Sequence, residues 1–265
     1  MSGAKLRLGG MALRNGLLVH GPTHWAAAVR APDGSVRVAS GRKPRASALD
    51  GVPGLRGLAR LGEAFALIPL VKRTLPEARL PFQDAGVIAV AAGAAALGTL
   101  ARRRLRGAAG EATAAGASLA PALFALQGGD LAAYHGVEHK AIAAYEQDAP
   151  DPAAAAKEHD RCGSHLVAPL LAANLAGAAL LRRLVERPGP AANAAVALGA
   201  AATAVEVFAW TERHADSRAA RTIRRPGFAL QRAMGTRKPD ARQLEVGRAA
   251  LAELLSLEGG ARSAA

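Results

Sequence analysis

The chain has 265 residues, of which 51% are hydrophobic but only 3% aromatic, and its formal net charge is +13. This length and apolar content suffice for a sizeable buried core. A single cysteine, Cys162, excludes an internal disulfide, and the first ten residues mix Lys and Arg with Gly, so we do not expect them to form a secretory signal.

The positive charge is concentrated towards the two ends of the chain. Residues 1–84 hold 13 basic and 5 acidic side chains and residues 212–265 hold 11 and 6, whereas residues 128–165 hold 3 and 7. Basic segments that flank apolar ones indicate contact with an anionic membrane surface. Nucleic acid is the competing partner, but the chain has neither interleaved aromatic residues nor a recognisable nucleic-acid-binding motif. We therefore expect anionic lipid as a partner and no nucleic acid.

Residues 1–50 predict a small β-rich region. Two strand-like runs, at 25–30 and 35–40, flank the tripeptide Pro32-Asp33-Gly34. Proline presets φ and glycine accepts a positive φ, so this tripeptide favours a turn between two antiparallel strands. The alternation in the second run indicates one covered face and one face in water.

Residues 51–84 predict a helix of their own. Apolar side chains recur there at helical spacing, at Leu55, Leu58, Leu61, Phe65 and Ile68. Arg56 and Arg60 on the same stretch favour an interfacial, amphipathic helix at a membrane surface. An ordinary helix that faces the protein core is the alternative.

Four apolar segments follow within a region, residues 85–215, that we predict to be a helical membrane core. They lie at residues 85–101, 112–127, 166–181 and 190–211. The last reaches the length of a bilayer span, and the others fall near the short limit. The segments hold almost no charge, and their small residues suit helix packing in lipid. A soluble Ala-rich bundle is the alternative, because alanine is only weakly apolar.

The predicted fold is therefore mainly α, a multi-pass helical membrane bundle of about four apolar helices with a small N-terminal β-hairpin or sheet. The basic tail, residues 216–265, ends in an amphipathic helix through Val246, Leu251, Leu254 and Leu255. Basic ends and an even number of spans predict that both termini are cytoplasmic and that the protein lies in the cytoplasmic membrane. The arginines at 102–106 oppose this orientation, so the first two segments could instead form a shallow hairpin.

The segment Tyr134–Lys140 carries the clearest chemical motif. On a helix, His135 and His139 lie one turn apart on the same face, and Glu138 points close to that face. Two such imidazoles can share a divalent metal, while the adjacent carboxylate can take a proton from a water molecule that the metal activates. The order His-x-x-Glu-His is the inverted zincin signature, and it indicates a metal-dependent hydrolase.

A metal site needs further ligands, and two places in the sequence offer them. His159 and Cys162 lie just before the third apolar segment and offer an imidazole and a thiolate, donors that Zn²⁺ favours. A closed set of four ligands would be structural, because it leaves no position for water. Glu206 lies inside an apolar segment, where an ionisable group needs a partner or a cavity, and it could complete a His₂Glu site instead. His20 has no partner at metal spacing, and we expect it in the core or at the surface.

The sequence resembles the YqhQ-like bacterial membrane proteins, the family also called DUF1385. Six elements occur in the family's order: Gly9-Gly10-Met11-Ala12, Pro53-Gly54-Leu55-Arg56-Gly57, Tyr134–Lys140, His159–Ser164, Glu206 and Gln243-Leu244-Glu245-Val246. Met11 and Asn15 stand where the family has Gln and Glu. The resemblance covers most of the chain and implies a multi-pass membrane protein with a metal site, often labelled a metal-dependent enzyme, without a known substrate.

Three hypotheses for function follow. The first is an integral membrane hydrolase in which His135 and His139 hold Zn²⁺, Glu206 or the His159/Cys162 pair completes the site, and Glu138 is the general base. It would act on a carbonyl or phosphoryl centre at the membrane face. The second is a non-catalytic membrane scaffold or assembly factor with a structural polar or metal node. The third is a small transporter that uses Glu206 as an ion site.

Overall fold

The computed structural model describes residues 5–45, 52, 55–105, 108–127, 129–149, 151–186 and 188–263, and of residues 55, 56, 108 and 261–263 only the backbone. Pro53, Gly54 and Arg106, which belong to predicted elements, lie outside the described residues, as does the side chain of Arg56. Within the described part the protein is mainly helical with one small sheet, as the sequence predicts.

The N-terminal region forms a four-stranded antiparallel meander. Its strands are β1 (Gly9–Leu13), β2 (Gly16–His20), β3 (His24–Arg30) and β4 (Val36–Arg42), hydrogen-bonded in chain order. The turn between β3 and β4 contains Gly34 at a φ of +83°, a conformation that glycine adopts without strain. The predicted hairpin and its turn are therefore confirmed, and the sheet extends it by two strands.

The rest of the chain is helical. In chain order the helices are α1 (Leu55–Thr74), α2 (Ala85–Arg104), α3 (Ala108–Ala117), α4 (Ala120–Gln127), α5 (Asp130–Gln147), α6 (Val167–Leu184), α7 (Pro190–Arg213), α8 (Arg218–Leu230) and α9 (Ala241–Ser263). Helix α8 runs on into one π-helical turn, Gln231–Gly235, and a short 3₁₀ turn, Gly163–Leu166, leads into α6.

The sheet is covered on both faces, which explains why its central strands are apolar at successive positions. Side chains such as Leu17 and Val19 of β2 pack with Val137 of α5 and Leu254 of α9. The alternate positions, such as Leu18, face α1 and the chain that follows it. Because neighbouring strand residues point to opposite faces, β2 and β3 must be apolar throughout to bury both. The sheet, α5 and α9 together form one layered unit, which we call the body.

Three helices in the described part of the chain are long and apolar enough to cross a membrane, namely Ala85–Arg104, Gly163–Leu184 and Pro190–Arg213. The predicted count of four is not confirmed, because residues 112–127 do not form one helix. Helix α3 ends at Ala117 and α4 starts at Ala120. Pro121 lies in the first turn of α4 and has no N–H to donate to the preceding turn, so it starts a new helix and does not continue α3.

All three candidate spans have one end beside the body. Asp84 accepts hydrogen bonds from the first N–H groups of α2 and pairs with Arg14, which lies between β1 and β2. At the end of α7, Glu212 pairs with Arg7, at the start of the sheet, over 2.5 Å. Cys162, which lies beside α5, caps the turn that leads into α6.

The opposite ends of the apolar helices meet in a second charged cluster. Glu111 of α3 is 7% exposed and contacts both Arg102 of α2 and Arg182 of α6, at 3.1 and 3.3 Å. One carboxylate therefore joins three helix ends, far from the body. The apolar part of the protein has a polar unit at each end.

Helix α9 is anchored to the sheet through a buried carboxylate. Glu258, only 2% exposed, accepts hydrogen bonds from the backbone N–H groups of Thr23 and His24 at 2.9 and 2.8 Å, and from the Thr23 hydroxyl at 2.9 Å. Gly21 approaches so closely that a Cβ there would lie 2.5 Å from Glu258 Oε1. The turn between β2 and β3 is thus held by a residue more than 230 positions away.

Candidate metal centre

Helix α5 carries the two histidines of the motif into the interior. It starts after Gly129, whose φ of +86° turns the chain, and ends at Asp148, which adopts a left-handed conformation. The helical spacing places the rings of His135 and His139 on one face, with centroids 4.3 Å apart. His139 is only 2% exposed and His135 is half-buried, so the pair extends from the interior towards the surface.

Backbone carbonyls orient both imidazoles. His135 Nδ1 lies 2.7 Å from the carbonyl oxygen of Gly235, and His139 Nδ1 lies 2.7 Å from that of Lys157. A carbonyl oxygen only accepts, so each Nδ1 carries the proton and donates it. Each Nε2 is then left with a free lone pair, which is the form of histidine that binds a metal.

Cys162 completes a group of three donors. Its Sγ is 3.3 Å from His135 Nε2, and one donor atom each from His135, His139 and Cys162 lie within 4.8 Å of one another. At usual Zn–N and Zn–S distances, two ligands of a tetrahedral site are about 3.5 Å apart. The group is therefore close to the dimensions of a metal site.

One nitrogen of this group lacks a hydrogen bond in the described part of the chain. His139 Nε2 is buried and has no hydrogen-bond partner there. Leaving a buried polar nitrogen unpaired costs about 1–3 kcal/mol. A metal ion bound between the two histidines and Cys162 would satisfy this nitrogen, so the donor set fits a metal. The buried group could hold a metal ion.

Glu138 lies beside this group, with its carboxylate against β1. The residue is 8% exposed, and a Cβ at Gly10 would lie 2.7 Å from Glu138 Cγ, so only glycine fits there. No hydrogen bond reaches its carboxylate from the described residues. Burial raises the pKa of Glu138 above its usual value, while the nearby His135 and His159 act in the opposite direction. The position suits a group that takes up a proton.

His159 lies next to the donor group but uses both of its nitrogens elsewhere. Its Nδ1 accepts a hydrogen bond from the Arg161 backbone N–H, and its Nε2 lies 3.1 Å from a Glu146 carboxylate oxygen. Nε2 must carry the proton to donate to that carboxylate, so neither nitrogen is left for a metal. The structure therefore separates the two residues of the predicted His159/Cys162 pair.

Glu206 lies on the wall of a cavity of about 750 Å³ that also contacts the donor group and Glu138. It belongs to α7, so the structure places this residue of the apolar segment at a cavity. It is not among the donor atoms that lie within 4.8 Å of one another. The three-residue group thus consists of His135, His139 and Cys162, with Glu206 as a wall residue of the same cavity.

A second layer of residues positions the segment that carries Cys162. Gln231, fully buried, accepts a hydrogen bond from the His159 N–H and donates to the His159 carbonyl and the Ser164 hydroxyl. His165 packs against Gly227, where a Cβ would lie 2.2 Å from its Nδ1. The π-helical turn that contains Gln231 also supplies the Gly235 carbonyl for His135, so one turn supports two members of the group.

His20 and Met11 of the N-terminal sheet line the cavity, a contribution that the sequence does not reveal. His20 lies against Gly9, its Nδ1 is buried without a hydrogen-bond partner among the described residues, and burial lowers its pKa to about 4. Asn15 lies outside the cavity lining and ties the β1–β2 turn to Arg30 and Arg79. Gly9, which leaves room for the ring of His20, was the available sequence signal for this residue.

Comparison with known proteins supports the resemblance. A family model described as "Protein of unknown function (DUF1385)" matches residues 130–257. This stretch begins at the start of α5 and reaches almost the end of α9, so it includes the donor group and its supporting turn, and it supports assignment of the chain to that family. No curated protein and no solved structure matches the chain.

Proposed function

We propose that this protein is an integral membrane metalloprotein that catalyses a metal-dependent hydrolysis at the membrane face. The observation that carries the proposal is the unpartnered His139 Nε2, buried beside Cys162 and His135. Two imidazoles and a thiolate favour Zn²⁺. Three protein ligands also leave one position for a small molecule, as in catalytic sites, whereas closed structural sites have four.

A Zn²⁺ ion in this group would polarise a carbonyl or phosphoryl oxygen and lower the pKa of water. The protein would supply the base, because the Glu138 carboxylate lies beside the donor group and receives no hydrogen bond from the described residues. Attack by water on the substrate would form a new bond from its oxygen, pass its proton to Glu138 and release the leaving group, which takes that proton back. Glu206 then lines the substrate space.

Elemental analysis of purified full-length protein tests the metal site. We expect about one equivalent of zinc per chain in the wild type and a loss of roughly tenfold or more in His139→Ala and Cys162→Ser, since each removes one of three ligands. The control is His214→Ala, because His214 is an exposed imidazole that binds the Trp210 carbonyl outside the group. Equal and negligible metal in wild type and variants would contradict the proposal.

The arrangement of the helices supports insertion in a membrane. Large apolar side chains are strongly exposed on the three candidate spans, for example Ile88, Leu100, Leu180 and Leu198 at 56%, 50%, 58% and 63%. A soluble bundle would bury such residues, whereas lipid covers them at no cost. The arginines of the exposed face of α8, Arg218, Arg221 and Arg225, follow the last span directly and suit contact with anionic headgroups.

Packing also constrains the topology. The sheet, α5 and α9 share one core, so they must lie on the same side of the membrane. Helix α2 leaves this side, and the chain must return before α5; α3 and α4, which both pack along α2, provide that return. Helix α6 then crosses the membrane away from this side, and α7 returns to it. We therefore propose that α3 and α4 together act as one membrane crossing, which places both termini on the cytoplasmic side.

Labelling with a membrane-impermeant maleimide in sealed vesicles of one orientation tests this topology. Ser35→Cys and Ser256→Cys, both exposed on the body, are expected to react from the same side, and Glu186→Cys, at the far end, from the other. Cys162 is buried and serves as the unreactive background. Reaction of Ser35→Cys and Ser256→Cys from opposite sides would refute the arrangement.

A further inference from the structure

The site cavity has an apolar side and a charged side. Its apolar wall comes from α1, α4 and α7, through residues that include Leu61, Ala64, Leu126 and Phe208. Along α7 the wall runs from Val205, Phe208 and Ala209, with the carboxylate residue Glu206 among them, to Glu212-Arg213. Because α7 is a candidate span, the pair Glu212-Arg213 marks the polar end of the α7 wall at the site.

A second cavity of about 510 Å³ adjoins the first, and Arg7, Arg161 and Glu212 line both. These residues are joined by ion pairs, since Arg7 and Arg161 contact Glu212 at 2.5 and 3.8 Å. The shared wall is therefore built from charged side chains that are paired with one another. It lies on the polar side of the donor group.

The second cavity is lined by four cationic side chains, those of Lys5, Arg7, Arg161 and Arg224, against three carboxylates. The Arg224 side chain is only 7% exposed and contacts Asp160 at 3.4 Å. Its terminal nitrogens contact Asp160 and the Ala215 carbonyl, whereas its Nε, like Glu212 Oε1 on the shared wall, is buried without a hydrogen-bond partner among the described residues. An unused guanidinium donor and an unused carboxylate acceptor in one group of cavities favour a ligand that has several acceptor oxygens and a hydroxyl, and a singly protonated phosphate has both.

We infer that the site binds a membrane amphiphile with a phosphate-bearing headgroup. This inference rests on the proposed function and names its substrate class. The hydrocarbon part lies against the apolar wall of α1 and α7, and the phosphate lies near Arg7 and Arg161, beside the donor group. The cavity volume falls within the range of small-molecule sites, so it accommodates a headgroup and the first part of a chain.

Photocrosslinking in phosphatidylcholine vesicles tests the inference on the full-length protein. The probe is phosphatidic acid with a diazirine near the carboxyl end of one acyl chain, and the matched probe is phosphatidylcholine with the same chain. Adducts at Phe208 are expected to be about tenfold more abundant with phosphatidic acid, whereas adducts at the lipid-facing Leu198 are expected to be equal. Equal yields at Phe208 with both probes would overturn the inference.

Substitutions at the apolar wall and at a cationic residue test separately how the two ends of the ligand bind. Ala209→Trp, which fills the apolar wall, and Arg7→Gln, which removes a cationic contact, are each expected to lower the phosphatidic acid adduct at Phe208 about tenfold. Leu198→Trp and Arg37→Gln, far from both cavities, are expected to leave it unchanged. Unchanged yields in the first two variants would overturn the inference.

Two further arms complete the test. If inorganic phosphate at millimolar concentration abolishes the Phe208 adduct, the site takes a soluble phosphate, and the inference that it binds an amphiphile is overturned. Persistence of the adduct supports the inference. The readout needs neither metal nor turnover, and zinc content is measured separately. Failure of the metal site and failure of amphiphile binding are therefore distinguishable.

Discussion

Replacing Glu138 by glutamine is expected to lower hydrolytic turnover by about 10²–10⁴-fold and to leave the metal content of the protein unchanged. Glutamine has nearly the same shape, so the contact with Gly10 is kept, but its amide cannot take up a proton. The neutral side chain also suits a buried position better than a carboxylate, whose pKa is raised by burial there, so we expect no loss of folding stability.

Turnover can be measured with chromogenic esters and phosphodiesters, such as p-nitrophenyl acetate and bis(p-nitrophenyl) phosphate, and zinc content by elemental analysis of the same preparation. The matched control is Glu186→Gln, because Glu186 is an exposed carboxylate at the far end of α6. If Glu138→Gln keeps full turnover and full metal content, the carboxylate is not the base. If the wild type binds zinc but hydrolyses none of these substrates, a structural metal node in a scaffold becomes the better hypothesis.

The convergence of the two motif histidines could be predicted, because it depends only on the geometry of a helix. Residues four apart share a face, so His135 and His139 converge wherever a helix forms, and the glycines before Asp130 mark its start. The choice among further donors could not be made this way. His159 and Cys162 precede a 3₁₀ turn and do not lie on a helix, so their spacing in sequence carries no information about which faces α5.

The structure brings Cys162 to the two histidines and engages His159 elsewhere, through contacts distant in sequence. Glu146 and the Arg161 N–H occupy both nitrogens of His159, and Gln231 fixes its backbone from 72 residues away. The Gly235 carbonyl that orients His135 comes from a π-helical turn 100 residues downstream. These partners are backbone groups or ordinary polar residues, and a single sequence does not distinguish them from others of their kind.

The fold, like the site, combines features that the local sequence predicts with features that depend on contacts between distant residues. The turn at Gly34 and the helical period of α1 and α9 are local properties, and the structure has them where the sequence indicates. The number of membrane crossings depends on alanine-rich segments, in which apolarity is weak and a single Pro121 breaks a helix. The proposal that α3 and α4 together complete a crossing rests on the shared core of the sheet, α5 and α9, which the sequence does not reveal.

The second large effect is expected from Glu258→Ala, which should lower the free energy of unfolding by about 3 kcal/mol and the apparent melting midpoint by about 10 °C. The substitution removes the acceptor for two backbone N–H groups and the Thr23 hydroxyl, all in the turn between β2 and β3. Because the site is buried, water cannot replace the lost acceptor at full strength. The change in Trp25 fluorescence reports the transition, since Trp25 is buried in β3 next to this turn.

Two further variants test whether the loss of stability is specific to the buried carboxylate of Glu258. Glu253→Ala removes a carboxylate of the same helix whose one hydrogen bond within the described part of the chain comes from the Ser40 hydroxyl, in a half-buried position, so we expect a loss below about 1 kcal/mol. Glu258→Gln keeps one acceptor oxygen and should fall between the wild type and Glu258→Ala. If Glu258→Ala and Glu253→Ala melt at the same temperature, the buried carboxylate does not hold α9 to the sheet. The body would then owe its stability to apolar packing alone, and zinc content should survive Glu258→Ala unchanged.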